Sequence, residues 1–163
     1  MRDRSDYIWY DEPFLCVLPG PCWVFTARVD LDGFARIVRS LDRGRTWEPV
    51  LKTPVWGFPQ HLLPLRDGRL LMTYGYRRKP FGVRACLSSD QGRTWDVDNE
   101  IVIRMDGGTA AGKPRVVADE DLGYPTSVQL ADGSMLTVYY HNADGSNCFI
   151  AGTFWTPPPQ QRP

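Results

Sequence analysis

The sequence is poor in lysine and histidine and has no charge of either sign to spare. Its 163 residues carry 19 Lys+Arg against 19 Asp+Glu, and the resulting zero net charge gives no electrostatic reason to expect nucleic acid or an anionic membrane as partner. Only 3 of the basic residues are Lys and 16 are Arg, so no single Arg is informative merely by being Arg. The four cysteines, Cys16, Cys22, Cys86 and Cys148, are scattered and form no CxxC pair. That argues against a disulfide scaffold and a zinc site, and leaves buried free thiols as the plain reading. No apolar run approaches the ~20 residues of a membrane-spanning helix. The opening MRDRSDYIWYDE has no apolar core of a signal peptide. No segment has convincing helical periodicity. What remains, 42% hydrophobic and 12% aromatic, is the composition of a folded domain rather than a disordered chain.

What is present is a repeat. SLDRGRTW (Ser40–Trp47) and SSDQGRTW (Ser88–Trp95) almost superimpose and lie 48 residues apart. A second pattern occurs three times, as EPFLCVLPGPCWVFTARVD from Glu12, FPQHLLPLRDGRLLMTYGY from Phe58 and YPTSVQLADGSMLTVYY from Tyr124. Each copy is X-Pro, a short apolar strand, a tight turn (Pro-Gly-Pro, Arg-Asp-Gly, Ala-Asp-Gly) and a second strand, the chemistry of a β-hairpin. A third strand leads into the box, as at Ala35–Ser40 and Val83–Ser88, and a fourth follows it, as at Val50–Val55 and Glu100–Arg104. Four short antiparallel strands per repeat of this length predict β-propeller blades, here over about 10–56, 57–105 and 123–156. Residues 106–122 read as a long loop inserted before the third unit, and the Pro-rich 157–163 as a disordered tail.

The S-x-D-x-G-x-T-W box has a structural rationale. In the boxes opened by Ser40 and Ser88, Asp42 and Asp90 accept backbone N–H bonds to fold the turn, Gly44 and Gly92 supply an unusual dihedral, and Trp47 and Trp95 pack the turn onto the blade. The alternative is a metal or sugar site at Asp42 or Asp90.

Two such boxes with X-Pro/Asp-Gly hairpins resemble the Asp-box (BNR-repeat) propellers of the sialidase superfamily, over about Tyr10 to Trp155. The resemblance implies a six-bladed, retaining glycoside hydrolase that needs no cofactor and no metal. In that family an aspartate is acid/base, a tyrosine paired with a glutamate is nucleophile, and three arginines clamp the substrate carboxylate. The choice is physical: the sugar already carries a carboxylate at its reacting carbon, which would repel a carboxylate nucleophile. Arginine suits the clamp because its planar fork meets a carboxylate bidentately and stays charged.

Carried over residue by residue, the resemblance implies Glu12, in Asp11-Glu12-Pro13, as the nucleophile's base and Tyr124, opening the last inner strand, as the nucleophile. Repeat superposition puts Glu12, Phe58 and Tyr124 at equivalent places facing the axis. Arg28, at the end of the hairpin that Glu12 opens, and Arg84, on the strand entering the second box, would supply two clamp positions, with Arg77 as the substitute for Arg84. Tyr74, Tyr76, Tyr139 and Tyr140 either stack on a sugar ring or pack near the axis. His61 and His141 share no ligand spacing and read as structural or surface residues, and Asp119-Glu120-Asp121 reads as a solvated acidic loop rather than a metal cluster.

The expectation is therefore a sialidase-like exo-glycosidase acting on terminal sialic acid or a related acidic sugar, such as a uronic sugar. The other reading is a non-catalytic Asp-box module that binds glycan or protein. At 48 residues per unit the chain holds little more than three blades, so the aspartate acid/base and first arginine would lie in N-terminal blades that it lacks. The partners expected are those blades, or a second copy of the chain, together with the carbohydrate. The isolated chain is expected to show little or no hydrolase activity.

Overall fold

The computed structural model describes residues 9–108, 120–145 and 147–160, and every regular element in them is a β-strand. The first sheet contains β1 (Asp11–Val17), β2 (Trp23–Arg28), β3 (Phe34–Ser40) and β4 (Leu51–Trp56) in that spatial order. The second contains β5 (Gln60–Pro64), β6 (Leu70–Tyr76), β7 (Phe81–Ser88) and β8 (Ile101–Gly107), again in sequence order. The third has three strands, β9 (Gly123–Gln129), β10 (Met135–His141) and β11 (Phe149–Trp155). All pairings are antiparallel. The fold is a partial β-propeller of three sheets, as the repeat implies.

Turn chemistry fixes the hairpins. Leu65 N–H bonds Arg69 O and Leu130 N–H bonds Ser134 O, both at 2.8 Å, closing the Arg-Asp-Gly and Ala-Asp-Gly turns in the same way. The two boxes are also alike. Gly44 N–H donates to Ser40 Oγ at 2.7 Å and Thr46 N–H to Asp42 Oδ1 at 2.8 Å; Gly92 N–H and Thr94 N–H make the same bonds to Ser88 and Asp90, both at 2.8 Å. Arg43 and Gln91 join Gly44 and Gly92 in the left-handed region, with φ of 62° and 61°. Five side-chain hydrogen bonds per turn hold that conformation against its intrinsic cost. The boxes use their aspartates structurally.

The sheets stack side by side. Between the first and second lie Cys16, Val24 and Ile37 against Leu62, Met72, Tyr74 and Trp95. Between the second and third lie Leu65, Leu71 and Ala85 against Met135. The middle sheet is thus covered on both faces, and six of the seven residues of β6 are buried. Each fully buried Leu or Met there contributes on the order of 1.5–3 kcal/mol. Three cysteines are buried as free thiols, and burial pushes Cys16 up to about 11 and Cys86 up to about 12; Cys148 is exposed.

Two local expectations change. Trp95 is buried, but Trp47, at the same box position, is 44% exposed, because no sheet covers that side of the first blade among the described residues. Residues 156–160 are not a free tail. Arg69, only 7% exposed, needs acceptors, and its Nη2 donates to Pro158 O at 2.8 Å, laying the tail along the second blade. Residues 109–119 of the inserted loop, Asp119 of the acidic triplet and residues 161–163 lie outside the described residues.

Candidate functional site

The X-Pro steps open the inner strands at one end of the molecule, and the sheet packing brings those openings together. Gly75 and Gly123 make this possible. A Cβ on Gly75 would stand 3.0 Å from Gly123 Cα and 2.8 Å from Phe58 O, so the second and third blades touch backbone to backbone. Beyond this contact, the Tyr124 hydroxyl donates a hydrogen bond to Glu12 Oε1, joining the third blade to the first. Both residues take left-handed backbone angles, with φ of 51° at Tyr124 and 49° at Glu12. Such a conformation costs about 1–3 kcal/mol in a residue other than glycine and collects where geometry serves a purpose. The ladder is irregular at both positions, which lets each side chain leave the inner strand toward the axis.

Glu12 is held from its other side by Arg28, whose Nη1 lies 3.0 Å from Oε2. Arg28 Nε bonds Asp30 as well, at 2.5 Å. Burial alone would lower the Arg28 pKa, but the hydrogen bonds to Glu12 and Asp30 outweigh it and hold the guanidinium charged. The Phe58 ring is met by two guanidinium groups, with Arg28 Cζ 4.3 Å and Arg77 Cζ 5.3 Å from its centroid. Arg77 donates from Nε to Leu122 O at 3.0 Å and from Nη2 to the Tyr140 hydroxyl at 3.1 Å. Tyr140 donates in turn to Asp121 at 2.9 Å, and its ring centroid lies 5.7 Å from that of Tyr124.

The hydrogen bond to Glu12, and then burial, raise the Tyr124 pKa, while the charges of Arg28 and Arg77 oppose the rise. The resting phenol therefore keeps its proton and points it at a carboxylate. That arrangement sets a phenolic O–H against a carboxylate able to accept its proton. An open depression of about 400 Å³, lined by Glu12, Phe14, Pro59, His61, Tyr124 and Thr126, lies beside the pair. Tyr124 is 49% exposed and reachable from it.

The structure brings Glu12, Arg28, Arg77, Tyr124 and Tyr140 together; Arg84 and Tyr74 lie elsewhere. Arg84 stands opposite Tyr74 in the β6–β7 ladder, on the face turned to the first blade. There it pairs with Glu100 and stacks on Tyr76, with Cζ 3.4 Å from the ring centroid. Tyr74 is fully buried and donates to Glu100; burial and then Glu100 raise its pKa strongly. Arg84, on the third strand of its blade, meets Glu100 and Tyr76, whereas Arg28 and Arg77, at hairpin ends, meet Phe58. Tyr139 is also packed, sharing a hydrogen bond with Thr153 at 2.6 Å. His141 is fully buried against Asp106 at 3.0 Å, the structural role expected of it. His61, in contrast, borders the depression, its ring 4.6 Å from Phe14 and its buried Nδ1 without a partner among the described residues. Its place on an inner strand three residues past Phe58 was the available signal. Among the described residues no three His, Cys, Asp or Glu side chains group as metal ligands do.

Comparison with solved structures places this fold. A Dyadobacter fermentans protein of unknown function superposes with a TM-score of 0.76 at 36% identity, over 90% of this chain and 38% of its own. A Hadza microbial sialidase superposes at 0.54 with 18% identity, over 89% of this chain and 35% of its own. A xylan β-1,4-xylosidase from Bacillus halodurans does so at 0.59 with 15% identity, over 94% and 31%. Apart from the Dyadobacter protein, whose function is unknown, these neighbours have glycoside-hydrolase propeller or sialidase-like folds, at low identity. The chain spans about two fifths of the Dyadobacter protein and a third of the other two. No family model and no curated protein matches the sequence.

Proposed function

We propose that this chain is the carbohydrate-binding and nucleophile-bearing part of a sialidase-like retaining glycosidase. The observation that carries the reading is the Tyr124–Glu12 hydrogen bond at the axial end, with Arg28 on the far side of the carboxylate. The propeller folds of glycoside hydrolases that superpose on the chain support a carbohydrate partner. The pair suits a sugar that already carries a carboxylate. A neutral phenol approaches it without charge repulsion, and Glu12 takes the phenolic proton as the new C–O bond forms. Arg28 and Arg77, converging on Phe58, supply the positive charge that would hold the carboxylate of such a sugar. An acid/base for the leaving group is assigned to blades outside this chain, so a fluorogenic sialoside should be turned over little or not at all by the chain alone.

A sialosyl fluoride tests the assignment, because fluoride leaves without a general acid. The phenolic oxygen of Tyr124 would bond to the anomeric carbon, fluoride would depart with the C–F electron pair, and Glu12 would hold the proton. Intact-mass analysis is expected to show one glycosyl adduct, mapped to Tyr124 and absent from Tyr124→Phe. Acidic-sugar binding that survives Tyr124→Phe, with no adduct on the wild type, would show the non-catalytic module instead.

A further inference from the structure

Strands β4 and β6 end at Trp56 and Tyr76, and β5 begins two residues after Phe58, so three aromatic rings collect at one end of the first two blades. Phe58, met by Arg28 and Arg77, lies 5.6 Å from Trp56 between centroids, and Trp56 lies 5.4 Å from Tyr76. Arg78 covers Trp56, with Cζ 3.7 Å from the centroid, and Arg84 covers Tyr76. The rings form a continuous row leading away from the axial site, and each carries a cation.

Trp56 is a fixed platform in that row. Its Nε1 donates to Asp32 O at 3.0 Å, and the ring lies against Gly33, where a Cβ would stand 2.3 Å from Nε1. Phe58 and Tyr76 meet it at 61° and 79°. A guanidinium stacked on such a ring has lost rotamer freedom before any ligand arrives, and its planar fork of N–H donors can still meet an oxyanion.

Charge pairing sets Arg78 apart. Glu12 and Asp30 hold Arg28, Asp32 holds Arg36 and Lys52, and Glu100 holds Arg84. Arg77 finds neutral acceptors, Leu122 O and the Tyr140 hydroxyl, as part of the axial site. Arg78 and Lys79 are exposed, and no carboxylate among the described residues pairs with either. The tip between β6 and β7 thus presents ordered positive charge on the ring next to the one that Arg28 and Arg77 share.

We propose that Arg78, with Lys79 beside it, is a second anion subsite that reads an acidic group, carboxylate or sulfate, on the sugar next to the terminal one. This rests on the proposed axial site, where Arg28 and Arg77 take the first carboxylate. Cations on adjoining rings suit acidic groups on successive residues of one glycan, and either acid presents the paired oxygens that a guanidinium fork meets. The substrate class becomes glycans that are acidic at two successive residues.

Isothermal titration of the chain with sialyllactose, α2,8-linked disialyllactose and sialyllactose sulfated on its galactose tests this. In about 50 mM salt the wild type is expected to bind at least one doubly acidic probe about fivefold tighter than sialyllactose, the scale of an exposed but ordered ion pair. The probe preferred identifies the acid. Arg78→Ala should bind all three within about twofold of the wild-type affinity for sialyllactose, with an unchanged denaturation midpoint. Equal affinity of the wild type for the three, with Arg77→Ala weakening each, would overturn the second subsite and leave the axial reading standing. A preference that survives Arg78→Ala would do the same. Binding of none of the probes would overturn the axial reading and the second subsite with it.

Discussion

Trp47 and Trp95 hold the same place in two superimposable turns, yet Trp95 is 6% exposed and Trp47 44%. The difference comes entirely from what lies behind each turn. Arg39 Nη1 reaches the carbonyls of Asp90 and Gln91, at 3.5 Å each, so the second box rests on the first blade. In chemical denaturation Trp95→Ala should cost about 3–5 kcal/mol, the range for emptying a large aromatic site. Trp47→Ala should cost about 1 kcal/mol or less. Equal losses would mean that the boxes stabilise only their own turns.

Stability should fall with acid in two steps. Burial depresses His61, and burial with the charge of Arg104 outweighs Asp106 to depress His141. A depressed histidine binds its proton more readily when unfolded, so stability present above about pH 6.5 declines below it. The carboxylates follow. Arg104 pulls Asp106 down to about 2, the Thr46 hydroxyl and N–H pull Asp42 down to about 2, and for Asp90 the bonds from Thr94 and Ser88 overcome burial. Their contribution is complete above about pH 4 and lost as pH falls toward 2. Urea midpoints at about pH 7.5, 5.5 and 3 should drop at each step. His61→Gln should flatten the upper step and Asp90→Asn the lower; a midpoint constant from pH 7.5 to 3 would refute both.

The legible parts of the molecule were those governed by local rules. Period-two alternation and Asp-Gly turns located the hairpins, because a register slip would turn every apolar side chain outward. The equivalence of Glu12, Phe58 and Tyr124 put three residues at one end of the axis without any contact information. Arg84 was less legible, since parity along β7 says which face a side chain takes and nothing about its distance from the axis. The exposure of Trp47 was hidden for a related reason: two octapeptides that share every box residue fold their turns alike, and only the next sheet distinguishes them. The tail was misread from its prolines, which forbid a ladder but leave Pro158 O free to accept from Arg69.

If Glu12 holds the Tyr124 phenol protonated, removing its charge should be visible spectroscopically. In an ultraviolet titration Glu12→Gln should move one tyrosine to lower pH, because the hydrogen bond to Glu12 is the largest cause of the rise and the opposing Arg28 and Arg77 remain. In Tyr124→Phe that same late-titrating tyrosine should vanish. Tyr74 and Tyr140, raised chiefly by burial, should titrate late in all three proteins. A Glu12→Gln curve superimposable on the wild type would remove the coupling on which the nucleophile assignment stands.

Arg77 and Arg84 give the sharpest separation of recognition from packing. Arg77 lies over Phe58 beside Arg28, whereas Arg84 is 14% exposed and ion-paired with Glu100 between two blades. Arg77→Ala should weaken binding of an acidic sugar about tenfold or more, the scale of one charge-assisted hydrogen bond, with little change in denaturation midpoint. Arg84→Ala should do the reverse, leaving affinity within about twofold. It should cost stability of about 1–3 kcal/mol, because the partly buried Glu100 loses its ion pair while Tyr74 still donates to it. Isothermal titration with the acidic sugar and with its neutral analogue reads both effects. Affinity lost in Arg84→Ala but retained in Arg77→Ala would move the anion site from the axis to the seam between the first and second blades.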